Sequence, residues 1–223
     1  MKNSFLSISI LLIIILCIYY RWDVIEFFNE GTTKVCSNVN GGCYYVQTKF
    51  NPETFVQAAD ALDTINKMNL EFFEYLKKKY LESPPNKLKQ SKLFKKRQTM
   101  VRNLIHRYNP NAIMEHMPLS KKNTSYVFAK GERIGYCLRE KRTGENHIHK
   151  LPVLYFVNLH ELSHLAATEY NPGHDERFWS DFKFILKEAM QAGLYTPIDY
   201  DTHPVHYCGI EIFYNPLYDP RIT

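Results

Sequence analysis

No internal repeat and no low-complexity tract occurs in this 223-residue chain, which excludes repeat arrays and compositionally disordered tails. Acid is missing altogether from Lys87 to Arg107, where eight Lys and Arg stand. No aromatic ladder and no known binding motif accompanies that charge, which ranks nucleic acid last among its readings. No small-residue cleavage site follows the one long apolar run, Phe5 to Tyr20; Arg21-Trp22-Asp23 stands there instead, which argues against a removed signal peptide. The net charge of +5 is mild, compatible with an acidic partner or an anionic surface but demanding neither. What is present points to a folded globule: 45% hydrophobic and 14% aromatic residues, in a length suited to one domain.

The charge-free run is flanked by Lys2 and Arg21. Its sixteen residues cover about 24 Å as a helix, somewhat short of a bilayer core. Tyr19, Tyr20 and Trp22 are residues that extend a span at its interface. The expectation is a transmembrane helix over residues 5–20, with 1–22 as membrane anchor, 23–50 as stalk and first strand region, and 51–223 as the catalytic-type domain. Localisation is then single-pass membrane, in a host or virion membrane if the source is viral. A cleaved signal peptide and a buried helix are the alternatives. Cys36, Cys43, Cys137 and Cys208 permit two disulfides, and Asn123-Thr124-Ser125 is a glycosylation sequon. Both point to a luminal face, against the alternative of a cytosol-facing domain with free thiols.

Further along, Gly41-Gly42 supplies a turn before a strand near Cys43 to Phe50. Asn51-Pro52-Glu53 reads as cap, first helical proline and early acid. Phe55, Ala58, Leu62, Ile65, Phe72 and Leu76 then recur at helical spacing until Ser83-Pro84-Pro85 stops the pattern. The basic stretch 87–107, interleaved with Leu93, Phe94, Val101, Leu104 and Ile105, reads as the charged face of a packing helix; a membrane surface and nucleic acid are its other readings. Ser125 to Phe128 and Ile134 to Leu138 flank Lys130-Gly131-Glu132 as a hairpin, and its second strand is a candidate edge for an extended substrate. Leu151 to Tyr170 is apolar nearly all round apart from His160, Glu161 and His164, as in a buried helix carrying a site on one stripe. Pro172-Gly173 breaks it, and a last helix runs from about Asp175 to Ala192, stopped by Gly193. A short strand is expected at Gly209 to Tyr214.

His160 and His164 are four apart, so a helix points both from one face toward a single ion. Glu161 reaches a water on that ion rather than the ion itself, the division of labour in zinc-assisted peptide hydrolysis. His174 completes three imidazole ligands, provided the break at Pro172-Gly173 turns the chain back; a continuous helix would carry it about 15 Å away. Burying His160, Glu161 and His164 without an ion would strand several polar groups. Asp175 is a helix-start acid or an orienter of a ligand. Tyr200 and Tyr207 are candidate hydrogen-bond donors to a transition-state oxyanion. His203, His206 and Cys208 form a separate cluster, read mainly as packing and surface. His147 and His149 read as solvated.

These residues also carry a resemblance. His160-Glu161-Leu162-Ser163-His164-Leu165, followed by Gly173-His174-Asp175-Glu176-Arg177-Phe178-Trp179, is similar to the WLM and SprT-like zinc metallopeptidases, nearest to predicted metallopeptidases of large DNA viruses. The resemblance implies an HExxH helix and a following element that supplies the third histidine. The spacing between the second and third histidines is longer here than in the WLM pattern, so a DNA–protein-crosslink substrate is not carried over. The expectation is an α+β, zincin-like, mainly helical domain with a small sheet or hairpin. Its cofactor is zinc, its partner a protein or peptide substrate, and its activity that of a membrane-anchored metallopeptidase with Glu161 as general base. The alternatives are a catalytically silent, zinc-stabilised structural protein and a nucleic-acid-associated protein using residues 87–107.

Overall fold

The computed structural model describes residues 31–82, 91–117, 124–140, 147–169 and 173–222. The chain divides into Met1–Thr33 and Lys34–Thr223, and the second unit carries the described helices and the site. Strand β1 (Thr32–Cys36) begins at that boundary and is followed by β2 (Cys43–Gln47). A disulfide between Cys36 and Cys43 closes the connecting loop. The side chain of Asn51 accepts a hydrogen bond from the Glu53 amide at 3.1 Å. With Pro52 this starts a 3-10 turn, Pro52–Thr54, that runs directly into helix α1 (Phe55–Lys77). Helix α2 (Lys92–Arg107) is capped by Ser91, whose hydroxyl accepts from the Phe94 amide at 3.0 Å.

Three short strands follow, β3 (Ile113–Glu115), β4 (Tyr126–Phe128) and β5 (Arg133–Tyr136). Next come helices α3 (Leu151–Ala166) and α4 (Glu176–Gln191) and a terminal ribbon of β6 (Val205–Tyr207) and β7 (Ile210–Ile212). The main sheet has the order β1-β2-β3-β5-β4. Strand β3 runs parallel to both β2 and β5, while β4 and β5 form the antiparallel hairpin. Four helices and a mixed sheet make the described chain α+β. The expected edge strand, Ile134–Leu138, is instead interior, and β4 is last in the order. Local sequence gives the hairpin, but the non-local pairing with β3 decides which of its strands is covered. Between them Gly131 has φ +107°, and a Cβ there would meet the Arg107 carbonyl at 2.1 Å, so only glycine lets the turn lie against α2.

The helix α3 sits at the centre, packed against α1, α2 and α4. The spacing read in α1 is its inner face: Ala58, Leu62, Ile65, Phe72 and Leu76 are fully buried. Helix α2 buries Phe94, Met100, Val101 and Leu104, and part of its polar side has internal work. Arg107 donates to the carbonyls of Leu165 and Ala167 at 2.8 and 2.9 Å, and Asn103 to that of Ala167 at 3.0 Å. The last carbonyls of a helix lack intrahelical donors, so these side chains finish α3 and complement the negative end of its dipole.

A buried amide pair fixes α3 in register. The Asn158 amide donates to Asn69 Oδ1 at 2.7 Å, and Asn69 returns the bond at 3.0 Å. The Tyr136 hydroxyl donates to Asn158 Oδ1 at 2.6 Å, and Asn69 also donates to the Tyr108 hydroxyl at 3.0 Å. Sheet, α1 and α3 are thereby tied two residues ahead of His160. Tyr136→Phe removes one donor and leaves Asn158 its Asn69 partner. The expected loss is about 1 kcal/mol, read as a melting temperature lowered by roughly 2–4 °C in thermal unfolding.

The expected transmembrane helix over residues 5–20, and the single-pass membrane localisation that followed from it, are corrected. Among the described residues no helix is long and apolar enough to cross a membrane, and residues 5–20 lie outside them. The most apolar described helix, α3, has 16 residues, about 24 Å of rise against the roughly 30 Å of a bilayer core. Its apolar surface faces other helices, and the stripe it does not bury carries His160 and His164. Asn123 of the sequon lies outside the described residues as well.

Candidate metal centre

Along α3 the positions 160, 163, 164 and 167 fall on one stripe, because residues three and four apart share a helix face. Pro152 in the first turn starts the helix, and the buried Asn158 pair orients it, so His160 and His164 point the same way with ring centroids 5.1 Å apart. His174 arrives from the segment ahead of α4. There Asp175 is the N-cap, its carboxylate accepting from the Phe178 amide at 3.0 Å. His174 lies beside the other two: its Nε2 is 3.0 Å from His160 Nε2, and its ring is 4.8 and 5.2 Å from those of His160 and His164.

One donor nitrogen from each of the three imidazoles falls within 4.8 Å of the others, the only such group of three or more potential ligands among the described residues. Zinc–nitrogen bonds of about 2.0–2.1 Å in a tetrahedron put such nitrogens roughly 3.4 Å apart, so the observed spread needs only small side-chain movements. Burial, with neighbouring imidazoles adding to it, holds His160 well below the usual histidine range. Burial pushes His164 down to about 4 and lowers His174. Three neutral rings with lone pairs are what metal ligation requires.

Phe178, one turn into α4, sits against all three rings. It stacks on His164 at 4.4 Å and meets His174 and His160 edge-on at 4.6 and 4.8 Å. Phe182 adds a contact to His160 at 5.2 Å, and Trp179 lies 5.9 Å from His174. Aromatic walls on this side restrict how the imidazoles rotate and keep water from behind them.

Glu161 follows His160 and is 5% exposed. Burial alone pushes its carboxyl up to about 8; a divalent cation beside it would favour the carboxylate form. Burial, chiefly, raises the Tyr136 and Tyr207 hydroxyls, and the charge of Glu161 adds to both. Tyr207 is held by a 2.7 Å hydrogen bond with the Ser125 hydroxyl, which also accepts from the Cys137 amide at 3.1 Å. A disulfide joins Cys137 to Cys208, locking the end of β5 to the end of β6. Tyr200 is fully buried and packs on Phe156, one turn ahead of His160, at 4.8 Å.

The remaining candidates separate cleanly. Asp175 is an N-cap whose other oxygen accepts from Arg177 Nε at 3.1 Å, and it is not among the grouped ligands. His203 is exposed beside Thr202, 2.8 Å from its hydroxyl, and His206 is exposed opposite Glu211 in the terminal ribbon. Neither joins the cluster. Expected to be solvated, His149 instead lies with its side chain 12% exposed, 3.7 Å from Glu140 and 3.8 Å from Cys208 Sγ. Phe178 as the backing of the site and Asn158 as its anchor were not foreseen. For Asn158 a signal existed: an amide inside an otherwise apolar helix needs a buried partner.

No family model matches the chain, and no solved structure matches it. It is 30% identical over 92 residues, 41% of its length, to "Uncharacterized protein 136R" of Invertebrate iridescent virus 6, of which it spans 50%. It is 31% identical over 191 residues to "Uncharacterized protein R325" of Acanthamoeba polyphaga mimivirus, covering 83% of this chain and 87% of the relative. Its relatives are thus proteins of large DNA viruses, and the chain belongs to the family of the mimivirus protein R325.

Proposed function

We propose that this chain is a zinc-dependent metallopeptidase of the HExxH type, similar in its site to the WLM and SprT-like enzymes. The observation that carries the reading is the convergence of His160, His164 and His174, from two separate elements, within 4.8 Å beside a buried carboxyl. Three neutral nitrogen donors with a carboxylate kept off the ion fit a catalytic rather than a structural zinc site, which closes with four protein ligands. Bound there, zinc supplies an activated water and a polarised peptide carbonyl. Glu161 takes up a proton on its carboxylate as the water attacks, and delivers it to the leaving amine nitrogen. Phe178 and Phe182 hold the imidazoles in place. The substrate class is an unfolded or extended polypeptide.

The test is zinc content of the purified full chain together with cleavage of a generic unfolded protein, with and without chelator. The expected result is about one zinc per chain, the single site that three histidines make, and cleavage lost on chelation and restored by zinc. Zinc without cleavage of any unfolded substrate would reduce the site to a stabilising ion. Absence of zinc would overturn the assignment altogether.

A further inference from the structure

A cavity opens beside the imidazole cluster, between the amino end of α2, the carboxyl end of α3 and the first turns of α4. Its volume is about 560 Å³, and its wall includes Leu93, Ala167 and Phe178 with the charged groups of Lys92, Lys96 and Asp181. That volume lies in the range of ligand pockets, roughly 300–1,000 Å³. We infer that this cavity binds a small organic monoanion with an apolar body, its carboxylate set against Lys92.

The charge arrangement carries the inference. Asp181 is already neutralised by Lys96, whose ammonium lies 2.5 Å away. At the rim Glu169 is matched by Arg177 at 2.8 Å, and Arg177 also meets Asp175 at 3.1 Å. Lys92 has no carboxylate partner among the described residues, so it is the cation of the lining left open to an incoming anion. Apart from Ser163 and Thr168 the remaining wall is apolar: the Leu93 side chain, 57% exposed, the Ala167 methyl and the Phe178 ring. An apolar body removes that surface from water, and a carboxylate gains a charge-assisted bond at the ammonium. A cationic or neutral amphiphile gains only the first.

The cavity is separate from the chemistry proposed above and needs no zinc, but it touches it. Phe178 lines the cavity and stacks on His164 at 4.4 Å, so an occupant presses on the ring that backs the imidazoles.

Two sources offer the same chemistry, a free aliphatic acid and the apolar carboxyl-terminal residue of a peptide. Calorimetric titration of the full chain with decanoate, N-acetylphenylalanine and decylamine distinguishes them. At least one carboxylate is expected to bind, about tenfold more tightly than decylamine. The preferred carboxylate identifies the source. Lys92→Gln, an exposed change that leaves the fold intact, is expected to weaken the carboxylate by about tenfold and leave decylamine unchanged. Equal binding of acid and amine, no loss with Lys92→Gln, or no binding of either acid to the folded chain would each overturn the inference.

Discussion

Replacing Glu161 by Gln is expected to lower peptide cleavage by roughly 10²–10⁴-fold, the usual contribution of a positioned general base, while zinc content stays the same. Gln keeps the volume and the hydrogen-bonding shape of Glu but has no basic oxygen, so it neither takes the proton from the attacking water nor returns one to the amine. The separation of the two readouts follows from the geometry. The ligand group consists of His160, His164 and His174 and leaves Glu161 out, so the substitution removes no ligand. Folding is not expected to suffer. Glu161 is 5% exposed and burial already pushes its carboxyl up to about 8, so an uncharged amide is tolerated there at least as well. The comparison is a cleavage time course beside metal analysis and a melting curve for both proteins. Full activity in the variant would remove Glu161 from the chemistry; zinc loss would make it a ligand instead.

Much of this site is legible in the sequence because its strongest signals are local. The four-residue spacing of His160 and His164 places them on one helical face, and Pro172-Gly173 reads in the sequence as a helix break ahead of His174, whose Nε2 lies 3.0 Å from that of His160. Asn51 as a cap, Asp175 as a helix-start acid and Gly193, with φ +73° after α4, mark where elements begin and end. Periodicity tells which face of a helix is buried but not what it is buried against. Hence the helical period puts Phe178 on the inner face of α4, and only the packing of α4 on α3 puts its ring against three imidazoles.

The same limit hides the pairing of Asn69 with Asn158, 89 residues apart, and places His149 in a turn when its ring lies on Tyr207 at 5.0 Å. Strand order is equally non-local. The β4–β5 hairpin reads from its turn, whereas its parallel neighbour β3 comes from a segment of three residues, too short to show alternation. In the basic stretch, too, the sequence shows a packing helix with a charged face but not the partners of its charges. Lys96 pairs with Asp181, Arg97 lies over the Phe184 ring at 4.9 Å, and Arg107 finishes α3. Part of its charge is thereby consumed inside the fold.

Changing His174 to Ala is expected to weaken zinc binding at least about 100-fold, the upper end of what loss of a mere ligand-supporting group costs, so that the purified variant carries little metal. The argument rests on the independence of this ligand from the fold. His160 packs on Phe178 and Phe182 and its replacement also opens space beside them, which confounds metal loss with unfolding. His174 is exposed and precedes α4, and the cap that starts the helix is Asp175. The metal-free variant is therefore expected to melt close to the metal-free parent, within the ±0.5 kcal/mol typical of surface changes. Zinc-loaded parent protein is expected to melt higher than either, since binding to the folded state alone adds stability in proportion to the logarithm of ligand excess, and the variant is expected to lose that increment. His164→Ala, on the same stripe of α3, should show the same metal loss with a larger fall in the metal-free melting temperature, because its ring is stacked on Phe178. Equal zinc content in parent and His174→Ala protein would remove the third ligand and, with it, the reason to read two helical histidines as more than packed core residues.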